Sequence, residues 1–299
     1  MMRAMSEPRL VLVLNCGSSS VKAAVVEPES GQTRDSAAVS RIGSGAPQLE
    51  HGDESRALEG DGHELAVGAL IDRLTASLPE GALVGVGHRV VHGGERFVAP
   101  TRIDDEVEAA IESLIALAPL HNPANLAGIR AARARFPQAL HVAVFDTAFH
   151  ATLPRRASHY AIDAELAAKH GVRRYGFHGS SHNYVAHRAA EALKARVEEL
   201  RLITCHLGNG ASVCAVEYGR SIETSMGMTP VEGLVMGTRS GDVDTGALLA
   251  IARPDRPART CATSKPVRPR GTTLVASPSA SSPTEYASTS APTRRSWEA

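Results

Sequence analysis

The chain has 299 residues, of which 43% are apolar and 21% charged, a composition typical of a soluble globular protein with room for about two domains. Its formal net charge of zero argues against binding to nucleic acid or membrane surfaces through bulk charge. The four cysteines show no Cys-x-x-Cys spacing, and the first apolar run is too short for a signal peptide or membrane span. These features predict a cytoplasmic protein.

The N-terminal stretch RLVLVLNCGSSSVKAAVVE contains two apolar runs joined by a loop rich in glycine and serine. This pattern predicts a β-hairpin with strands at Leu10–Leu14 and Val21–Val26. The loop can direct backbone N–H groups and hydroxyls toward an anion, and Lys22 adds a positive charge. The spacing of a Walker loop is absent. The motif alone leaves two interpretations open, a phosphate-binding loop and an ordinary serine-rich turn.

The next motif, GHRVVHGGERF, follows a short apolar run that predicts a strand over Ala82–Val86. Arg89 comes after this strand and before a Gly-Gly turn. The guanidinium group suits a carboxylate or a phosphate because it donates two parallel hydrogen bonds. A lone arginine of this kind is more often an ordinary surface residue, so the motif does not assign a site by itself.

Two helices are predicted in the following segment. The apolar residues that share one face of the first helix are Val107, Ile111, Leu114 and Ile115. This helix should end before Pro119. Asn122 is predicted to cap the second helix, with Pro123 at its first position and its end near Arg135.

The run ALHVAVFD is continuously apolar and ends at Asp146, a pattern typical of a strand buried on both faces. Strand ends in open α/β sheets carry functional groups, although a capping aspartate fits equally well. In YGFHGSSH, His178 and His182 are four residues apart, but no Cys or His-Glu-x-x-His partner supports a zinc site. The segment instead predicts a loop before a helix capped by Ser180 or Ser181, with His178 facing a cleft.

The stretch Leu202–Gly219 repeats the strand, glycine loop and strand of the N-terminal hairpin. We interpret this repeat as a sign of duplication, and two such loops can hold one polyphosphate from two sides. Arg239 in MGTRSGDVD is a second arginine beside glycines, so the two arginines could clamp one anion. The mixture of strands and helices indicates an α/β architecture.

Residues 253–299 differ from the rest of the chain. They contain seven of the 17 prolines, with eight serines and seven threonines, and eight Lys and Arg against three Asp and Glu. Burying their five large apolar side chains would gain roughly 15 kcal/mol at most, whereas ordering each residue costs about 1–2 kcal/mol. The segment is therefore predicted to be disordered.

Seven motifs in this order resemble the acetate kinase family: NCGSSSVK, GHRVVHGGERF, LAPLHNPANLAGI, VFDTAFH, YGFHGSSH, HLGNGAS and MGTRSGDVD. The resemblance extends from about Leu10 to Ala252. It implies an α/β fold of duplicated ribonuclease-H-like domains with ATP in the cleft between them, as in sugar kinases, seventy-kilodalton heat-shock chaperones and actin. The implied division is a first domain at 1–150, a partial second domain at 151–252, and the atypical tail at 253–299.

The resemblance implies reversible transfer of the γ-phosphate of ATP to acetate, with Mg²⁺ or alternatively Mn²⁺ as cofactor and a homodimer as the assembly. The implied ATP-binding residues are Ser18, Ser20, Lys22, His206, Leu207, Gly208, Asn209 and Gly210. The implied acetate-binding residues are Arg89 for the carboxylate and Val91, Leu120 and Pro230 for the methyl group. The implied catalytic residues are Asp146, His178 and Arg239, and the implied Mg²⁺-associated residue is Asn15.

These implied roles form a coherent mechanism, because phosphoryl transfer depends on positioning and charge neutralisation. Arg89 would orient acetate in line with the γ-phosphate, while Arg239 and His178 offset charge on the phosphoryl oxygens. Acetate is already ionised at neutral pH, so Asp146 is not expected to act as an essential base. We expect it to orient Arg239, His178 or a metal-bound water.

The family pattern stops near Ala252, and no Gly-Gly-x-Gly-Glu-Asn segment follows. We hypothesise a truncation, frameshift or misassembly near codon 253, which the nucleotide sequence would test. An incomplete second domain would expose strand edges and one side of the cleft. The expected product is aggregation-prone and poorly active, and turnover comparable to an intact family member would contradict this.

Three other functions stay open at this point. A propionate or butyrate kinase would differ mainly in the volume of its acid pocket. A non-catalytic ATP-fold module, related to actin or the chaperones, would not need two arginines and a histidine around its ligand. The product of a pseudogene is the third alternative.

Overall fold

The structure is a computed structural model that describes residues 9–252. The hypotheses on the tail therefore lie outside the described residues. The eleven strands of the described chain are β1 (Leu10–Cys16), β2 (Val21–Glu27), β3 (Gln32–Ser40), β4 (Gln48–His51), β5 (Glu54–Ala57), β6 (Leu83–Val90), β7 (Thr101–Arg102), β8 (Leu140–Phe145), β9 (Arg201–Leu207), β10 (Ala211–Glu217) and β11 (Arg220–Thr224). Its seven α-helices are α1 (His63–Thr75), α2 (Asp105–Ser113), α3 (Asn122–Arg135), α4 (Arg155–Ser158), α5 (Ala164–His170), α6 (Gly179–Leu193) and α7 (Thr245–Ile251).

The larger sheet has eight strands in the order β5-β4-β3-β2-β1-β6-β8-β7. Strands β1, β6 and β8 run parallel to one another, whereas β2 to β5 form an antiparallel meander on one side. The register places Asn15 opposite Arg89. Because parallel strands end at the same edge of a sheet, the ends of β1, β6 and β8 bring distant motifs together there.

Helices α1 and α3 cover the face of the larger sheet that carries Leu12 and Leu14. Both leucine side chains are buried, at 0% and 1% exposed. The side chains that pack against them include Val67 and Leu70 from α1 and Ala132 from α3, each fully buried. Burying a valine or leucine side chain contributes roughly 1.5–3 kcal/mol. This packing fixes β1 in the centre of the molecule and therefore fixes the loop at its end.

The smaller sheet has three strands in the order β11-β10-β9. The predicted second hairpin is confirmed, because β9 and β10 pair antiparallel from Leu207↔Ala211 to Arg201↔Glu217. Among the described residues, β9 lies at the edge of this sheet, and its outward side chains Ile203 and Leu207 are 76% and 75% exposed. The mixture of two sheets and surrounding helices confirms the predicted α/β class, while the predicted domain boundary near residue 150 stays a prediction.

Two predicted element starts are wrong in detail. Asn122 is not an N-cap; it is the first residue of α3, and its side-chain amide instead holds the backbone of His92 with two hydrogen bonds of 3.2 Å. The predicted caps Ser180 and Ser181 lie inside the first turn of α6, and the cap residue is His178. A tertiary contact thus determines how the Asn122 amide is used, and the hydroxyl of Ser181 likewise lies 2.9 Å from Nδ1 of His206.

Two predicted boundaries also move. Strand β6 continues through Arg89 to Val90 because it pairs with β1 as far as Arg89 and with β8 as far as Val90. Helix α2 ends at Ser113, and Leu114 begins a 3-10 turn. The first hairpin is confirmed, with strands one or two residues longer than predicted.

Residues from Asp244 belong to a second compact unit, of which the structure describes 244–252. Its helix α7 begins after Asp244, whose side chain accepts a hydrogen bond of 2.6 Å from the backbone of Gly246. In the described part of the chain, no helix is both long and apolar enough to cross a membrane.

Candidate active site

A cavity of about 580 Å³ lies where the ends of β1, β6 and β8 face the loop between β9 and β10. Fourteen of the sixteen residues predicted for the site line it. They are Asn15, Ser18, Ser20, Lys22, Arg89, Val91, Asp146, His178, His206, Gly208, Asn209, Gly210, Pro230 and Arg239. Motifs as far apart in sequence as residues 15 and 239 therefore share one space.

The first loop forms one wall of the cavity. Gly17 donates its backbone N–H to the carbonyl of Ser20 at 2.7 Å, which closes a tight turn between β1 and β2. The imidazole Nε2 of His63, on α1, lies 2.7 Å from the Gly17 carbonyl and supports the turn from behind. The serine side chains and Lys22 are thus held beside the cavity by a braced backbone.

Arg89 and Asp146 form the floor of the cavity. The guanidinium donates to both carboxylate oxygens, from Nε at 2.9 Å and from Nη2 at 2.5 Å. Its Nη1 donates to the side-chain oxygen of Asn15 at 2.9 Å. The charge of Asp146 raises the pKa of Arg89 against the opposing effect of burial, so the arginine stays cationic.

This pairing differs from the expected role of Asp146. Its carboxylate is bound to Arg89, rather than to Arg239 or His178, because β6 and β8 are adjacent and both side chains lie at the same sheet edge. The backbone carbonyl of Asp146 accepts the N–H of Gly179 at 2.9 Å and so anchors the start of α6. Asp146 thus joins the strand that carries Arg89 to the helix that follows His178.

The second loop forms the opposite wall. The backbone N–H of Gly208 donates to the carbonyl of Gly210 at 3.0 Å, which turns the chain between β9 and β10. Gly210 lies so close to its neighbours that a Cβ atom there would be 2.6 Å from Nη2 of Arg239 and 3.4 Å from Nε2 of His178. Glycine at 210 therefore allows both functional groups to reach the cavity.

Arg239 reaches the cavity from an irregular segment after β11. Its Nη1 donates to the carbonyl of Pro230 at 2.5 Å, and its own carbonyl accepts from Met236 at 2.9 Å. Arg174 holds the start of the same segment by donating to the carbonyls of three successive residues, Thr224, Ser225 and Met226, at 3.1–3.3 Å. Burial lowers the pKa of Arg239, and an anionic ligand would offset that effect.

His178 precedes α6 in a left-handed backbone conformation, with φ of 58°. Its Nδ1 lies 2.8 Å from the hydroxyl of Ser212, and its ring stacks on that of His206 with centroids 4.0 Å apart. Burial, with the nearby His206 as a second cause, lowers the pKa of His178 to about 3. The imidazole is therefore neutral at physiological pH and can donate or accept through Nε2, but does not carry a charge.

The charges that line the cavity favour an anion. Lys22, Arg89 and Arg239 face a single carboxylate, Asp146, so the lining carries a net charge of two positive units. Burial lowers the pKa of His121 and of His206, which keeps both neutral. Positive groups in a partly enclosed cavity attract phosphates and carboxylates strongly.

Two predicted residues do not line the cavity. Leu120 is 73% exposed, because it lies in the turn before α3 and its side chain faces solvent. Leu207 is 75% exposed, because alternate residues of β9 face away from the cavity. The apolar part of the lining is made by Val91 and Pro230 together with Phe177.

Several residues that line the cavity were not individually assigned a site role from the sequence. They are Gly17, Ser19, His121, Phe177, Ser180 and Ser181. Each lies inside an identified motif or next to an identified residue. Proximity in sequence to those motifs was therefore the signal that could have assigned these residues to the site. His121 is the clearest case, because the backbone of the turn before α3 turns its ring toward Arg89 and Arg239 while Leu120 faces solvent.

A Mg²⁺ ion prefers oxygen ligands and usually keeps contacts with waters and substrate phosphates. Within residues 9–252, no group of three His, Cys, Asp or Glu side chains is arranged to hold a metal. The Asn15 oxygen reaches the cavity but already accepts from Arg89. Among the described residues, the Asn15 oxygen is therefore a possible ligand for a metal in the cavity, but no cage of three carboxylate, imidazole or thiol groups surrounds it.

The sequence matches the acetokinase family across residues 10–258. It is 55% identical to the acetate kinase of Deinococcus radiodurans over 246 residues, which make up 81% of this chain and 62% of that protein. Two crystal structures have a similar fold. An acetate kinase from Porphyromonas gingivalis has a TM-score of 0.74 and 46% identity, with 81% of this chain and 63% of that chain covered.

The second structure is a propionate kinase from Francisella tularensis, with a TM-score of 0.76 and 43% identity over 81% of this chain and 64% of that one. The chain therefore spans less than two thirds of the length of each of these relatives.

Proposed function

Since the chain belongs to the acetokinase family, we propose that its cavity binds ATP and acetate and transfers the γ-phosphoryl group between them. The observation that carries this proposal is the convergence of two glycine-containing loops, two arginines and a neutral histidine on one cavity of net positive charge. A polyphosphate needs several N–H and cationic donors, and a short carboxylic acid needs one arginine beside a small apolar surface.

The proposed reaction forms one bond to phosphorus and breaks another. An acetate oxygen forms a bond to the γ-phosphorus while the bond from that phosphorus to the bridging oxygen of ADP breaks, giving acetyl phosphate and ADP. No proton is transferred, because acetate attacks as the carboxylate and ADP leaves with the electron pair. This balance explains how Asp146 can remain paired with Arg89 and need not act as a base.

The residues of the chain would act by position and charge. Arg89 would bind the acetate carboxylate through the N–H groups of Nη1 and Nη2 that are not donated to Asn15 and Asp146, while Asp146 holds the guanidinium in place. Arg239 and His178 would donate to the phosphoryl oxygens as charge redistributes during transfer. Ser18, Ser20 and Lys22 on one side and Gly208 to Gly210 on the other would bind the phosphate chain of ATP.

A Mg²⁺ ion would be held through the nucleotide phosphates and the side-chain oxygen of Asn15, and would neutralise phosphate charge. The predicted cytoplasmic location agrees with the described cysteines, Cys16, Cys205 and Cys214, which are all thiols. The predicted homodimer stays a prediction.

The test is the acetate-dependent formation of acetyl phosphate by the full chain, trapped as its hydroxamate. We expect Arg239→Ala to lower the rate by a factor on the order of 10³, as for other arginines that stabilise a transferring phosphoryl group. The matched control is Arg201→Ala, since Arg201 lies on β9, pairs with Glu217 and does not line the cavity. An equal rate for the two variants, or a product that forms without acetate, would contradict the proposal.

A propionate kinase is the second candidate, because one of the similar structures carries that activity in its name. The acid would lie against Val91, Phe177 and Pro230. Comparing kcat/KM for acetate, propionate and butyrate distinguishes the candidates, since one added methylene changes pocket binding by roughly 1–3 kcal/mol. A preference for acetate of tenfold or more favours the first candidate.

A further inference from the structure

Four buried or half-buried side chains form a continuous hydrogen-bonded row behind the cavity. Thr204 on β9 lies 2.8 Å from Nδ1 of His182, and Nε2 of His182 lies 2.8 Å from the hydroxyl of Ser212 on β10. The same hydroxyl lies 2.8 Å from Nδ1 of His178. The row ends at Nε2 of His178, which would lie 3.4 Å from a Cβ atom at position 210, and His178 and Gly210 both line the cavity.

The row is sealed from solvent at its inner members. Ser212 is 0% exposed, His182 is 1% exposed and Thr204 is 4% exposed. Burial lowers the pKa of His182 to about 4, so this ring, like that of His178, is neutral and carries one N–H. No water is needed to complete the hydrogen bonds, because each inner atom has a protein partner at 2.8 Å.

The hydroxyl of Ser212 couples the two rings because it has only one hydrogen. It donates to one imidazole nitrogen and accepts from the other, so the two histidines cannot choose their tautomers independently. If Ser212 donates to His178, then His182 must donate from Nε2 to Ser212 and accept from Thr204 at Nδ1. In that direction His178 carries its hydrogen on Nε2, the nitrogen that faces the cavity.

In the opposite direction His178 donates to Ser212 and presents a lone pair to the cavity. Thr204 would then donate to the carbonyl of Cys214, over a longer distance of 3.4 Å. A lone pair repels a phosphoryl oxygen, whereas an N–H donates to it, so an anion in the cavity selects the first direction. The distances therefore permit two directions of hydrogen bonding along the row, and an anionic ligand would favour the first.

We propose that Ser212 and His182 are positioning residues that fix His178 as its Nε2–H tautomer when a phosphoryl anion occupies the cavity. This inference rests on the proposed function, because it assigns His178 the role of donor to the transferring group. A second contact supports the same geometry. His150 lies with its Nε2 2.9 Å from the carbonyl of Phe177 and holds the backbone next to His178, so the ring can change its hydrogen position without moving.

The experiment uses the full chain labelled with ¹⁵N-histidine and the stable probe inorganic phosphate. Long-range ¹H–¹⁵N correlation spectra distinguish protonated from unprotonated ring nitrogens, and the spectrum of His178→Gln identifies the signals of His178. Phosphate binding is followed separately by the ³¹P resonance. We expect saturating phosphate to leave His178 with hydrogen on Nε2 only, and Ser212→Ala to give a mixture of tautomers with about three- to tenfold weaker phosphate binding.

A second pair of variants tests the same inference if Ser212→Ala does not fold. Thr204→Val keeps the shape of the side chain but removes the hydroxyl, whereas Thr204→Ser keeps the hydroxyl. Thr204 does not line the cavity. We expect Thr204→Val to broaden the tautomer distribution of His178 and Thr204→Ser to restore it, with both variants folded by circular dichroism.

The outcomes separate the inference from the proposed function. If phosphate binds and His178 keeps the same tautomer and the same affinity in Ser212→Ala and Thr204→Val, the inference is wrong and the proposed function stands. If the wild-type chain binds phosphate with hydrogen on Nδ1 of His178, the inference is also wrong. If phosphate does not bind to the wild-type chain, the inference fails, since no anion then selects the direction of the row, and the hydroxamate assay decides the proposed function separately.

Discussion

Two hairpins with the same local plan differ in their surroundings. In the first, β1 lies between β2 and β6 and alternates buried and partly exposed residues, with Leu12 and Leu14 fully enclosed. In the second, β9 pairs only with β10 among the described residues, and Leu207 is 75% exposed. Both nevertheless place a glycine-containing loop beside the same cavity. Local sequence is thus sufficient for the hairpin, whereas burial of a strand depends on partners from elsewhere in the chain.

The largest expected effect contrasts one leucine from each hairpin. Leu12→Ala should lower the free energy of unfolding by roughly 2–5 kcal/mol, because it leaves a cavity between the larger sheet and its helices. Leu207→Ala should change it by no more than about 0.5 kcal/mol, because the side chain is exposed. Urea unfolding of the full chain measures both. Equal losses of unfolding free energy in the two variants would mean that β9 is as enclosed as β1. That result would contradict the difference between the two hairpins.

A smaller effect tests the end of the larger sheet, where Asp146 pairs with Arg89. Asp146→Asn removes the negative charge, and should destabilise the chain by about 2 kcal/mol. This value is below the range for fully buried pairs because the arginine side chain is 34% exposed. The matched control Asp72→Asn removes the surface partner of Arg135 and should cost well under 1 kcal/mol. Equal costs for the two variants would show that the Arg89 pair behaves like a surface salt bridge.

The pH dependence of stability extends the comparison to two buried histidines, His88 on β6 of the larger sheet and His182 on α6 behind the smaller sheet. Burial lowers the pKa of His88 in the larger sheet to about 3 and that of His182 behind the smaller sheet to about 4. Between these values and the ordinary pKa of about 6.5, the unfolded chain binds more protons than the folded chain. These histidines therefore leave the free energy of unfolding unchanged above about pH 6.5 and lower it progressively as the pH drops toward 4.

Urea midpoints at about pH 7.5 and about pH 5 measure this slope. His88→Gln should flatten it, because one group that must stay neutral in the folded chain is removed. Burial of His88 is the main cause that opposes its protonation, and the nearby ring of His141, whose Nδ1 lies 3.0 Å from Nε2 of His88, is the second. Stability that rises as the pH falls would contradict this account.

The elements that local pattern controls could be predicted from the sequence. Apolar periodicity and glycines are local signals. They predicted both hairpins, helix α3 and the strand that ends before Asp146. The order of strands was not predictable in this way. The pairing of Asp146 with Arg89 depends on β6 and β8 being neighbours, which no local pattern reports.

The same limit explains the differences at single residues. Asn122 was predicted to cap a helix from its position, but the backbone of His92, thirty residues earlier, takes its amide. Leu120 and Leu207 were assigned through the motifs that contain them, whereas the direction of each side chain depends on the turn or strand around it. The hydrogen-bonded row behind His178 joins three elements and left no sequence signal beyond the spacing of two histidines.

The central claim is that the two hairpin loops hold one phosphate chain in a single cavity. Isothermal titration of MgATP into the full chain tests it, with Lys22→Ala in the first loop, Gly210→Ala in the second, and Lys169→Ala on α5 as the control outside the cavity. We predict one binding event that weakens by about tenfold or more in each loop variant and is unchanged in the control. Affinity that is insensitive to either loop variant would contradict the claim.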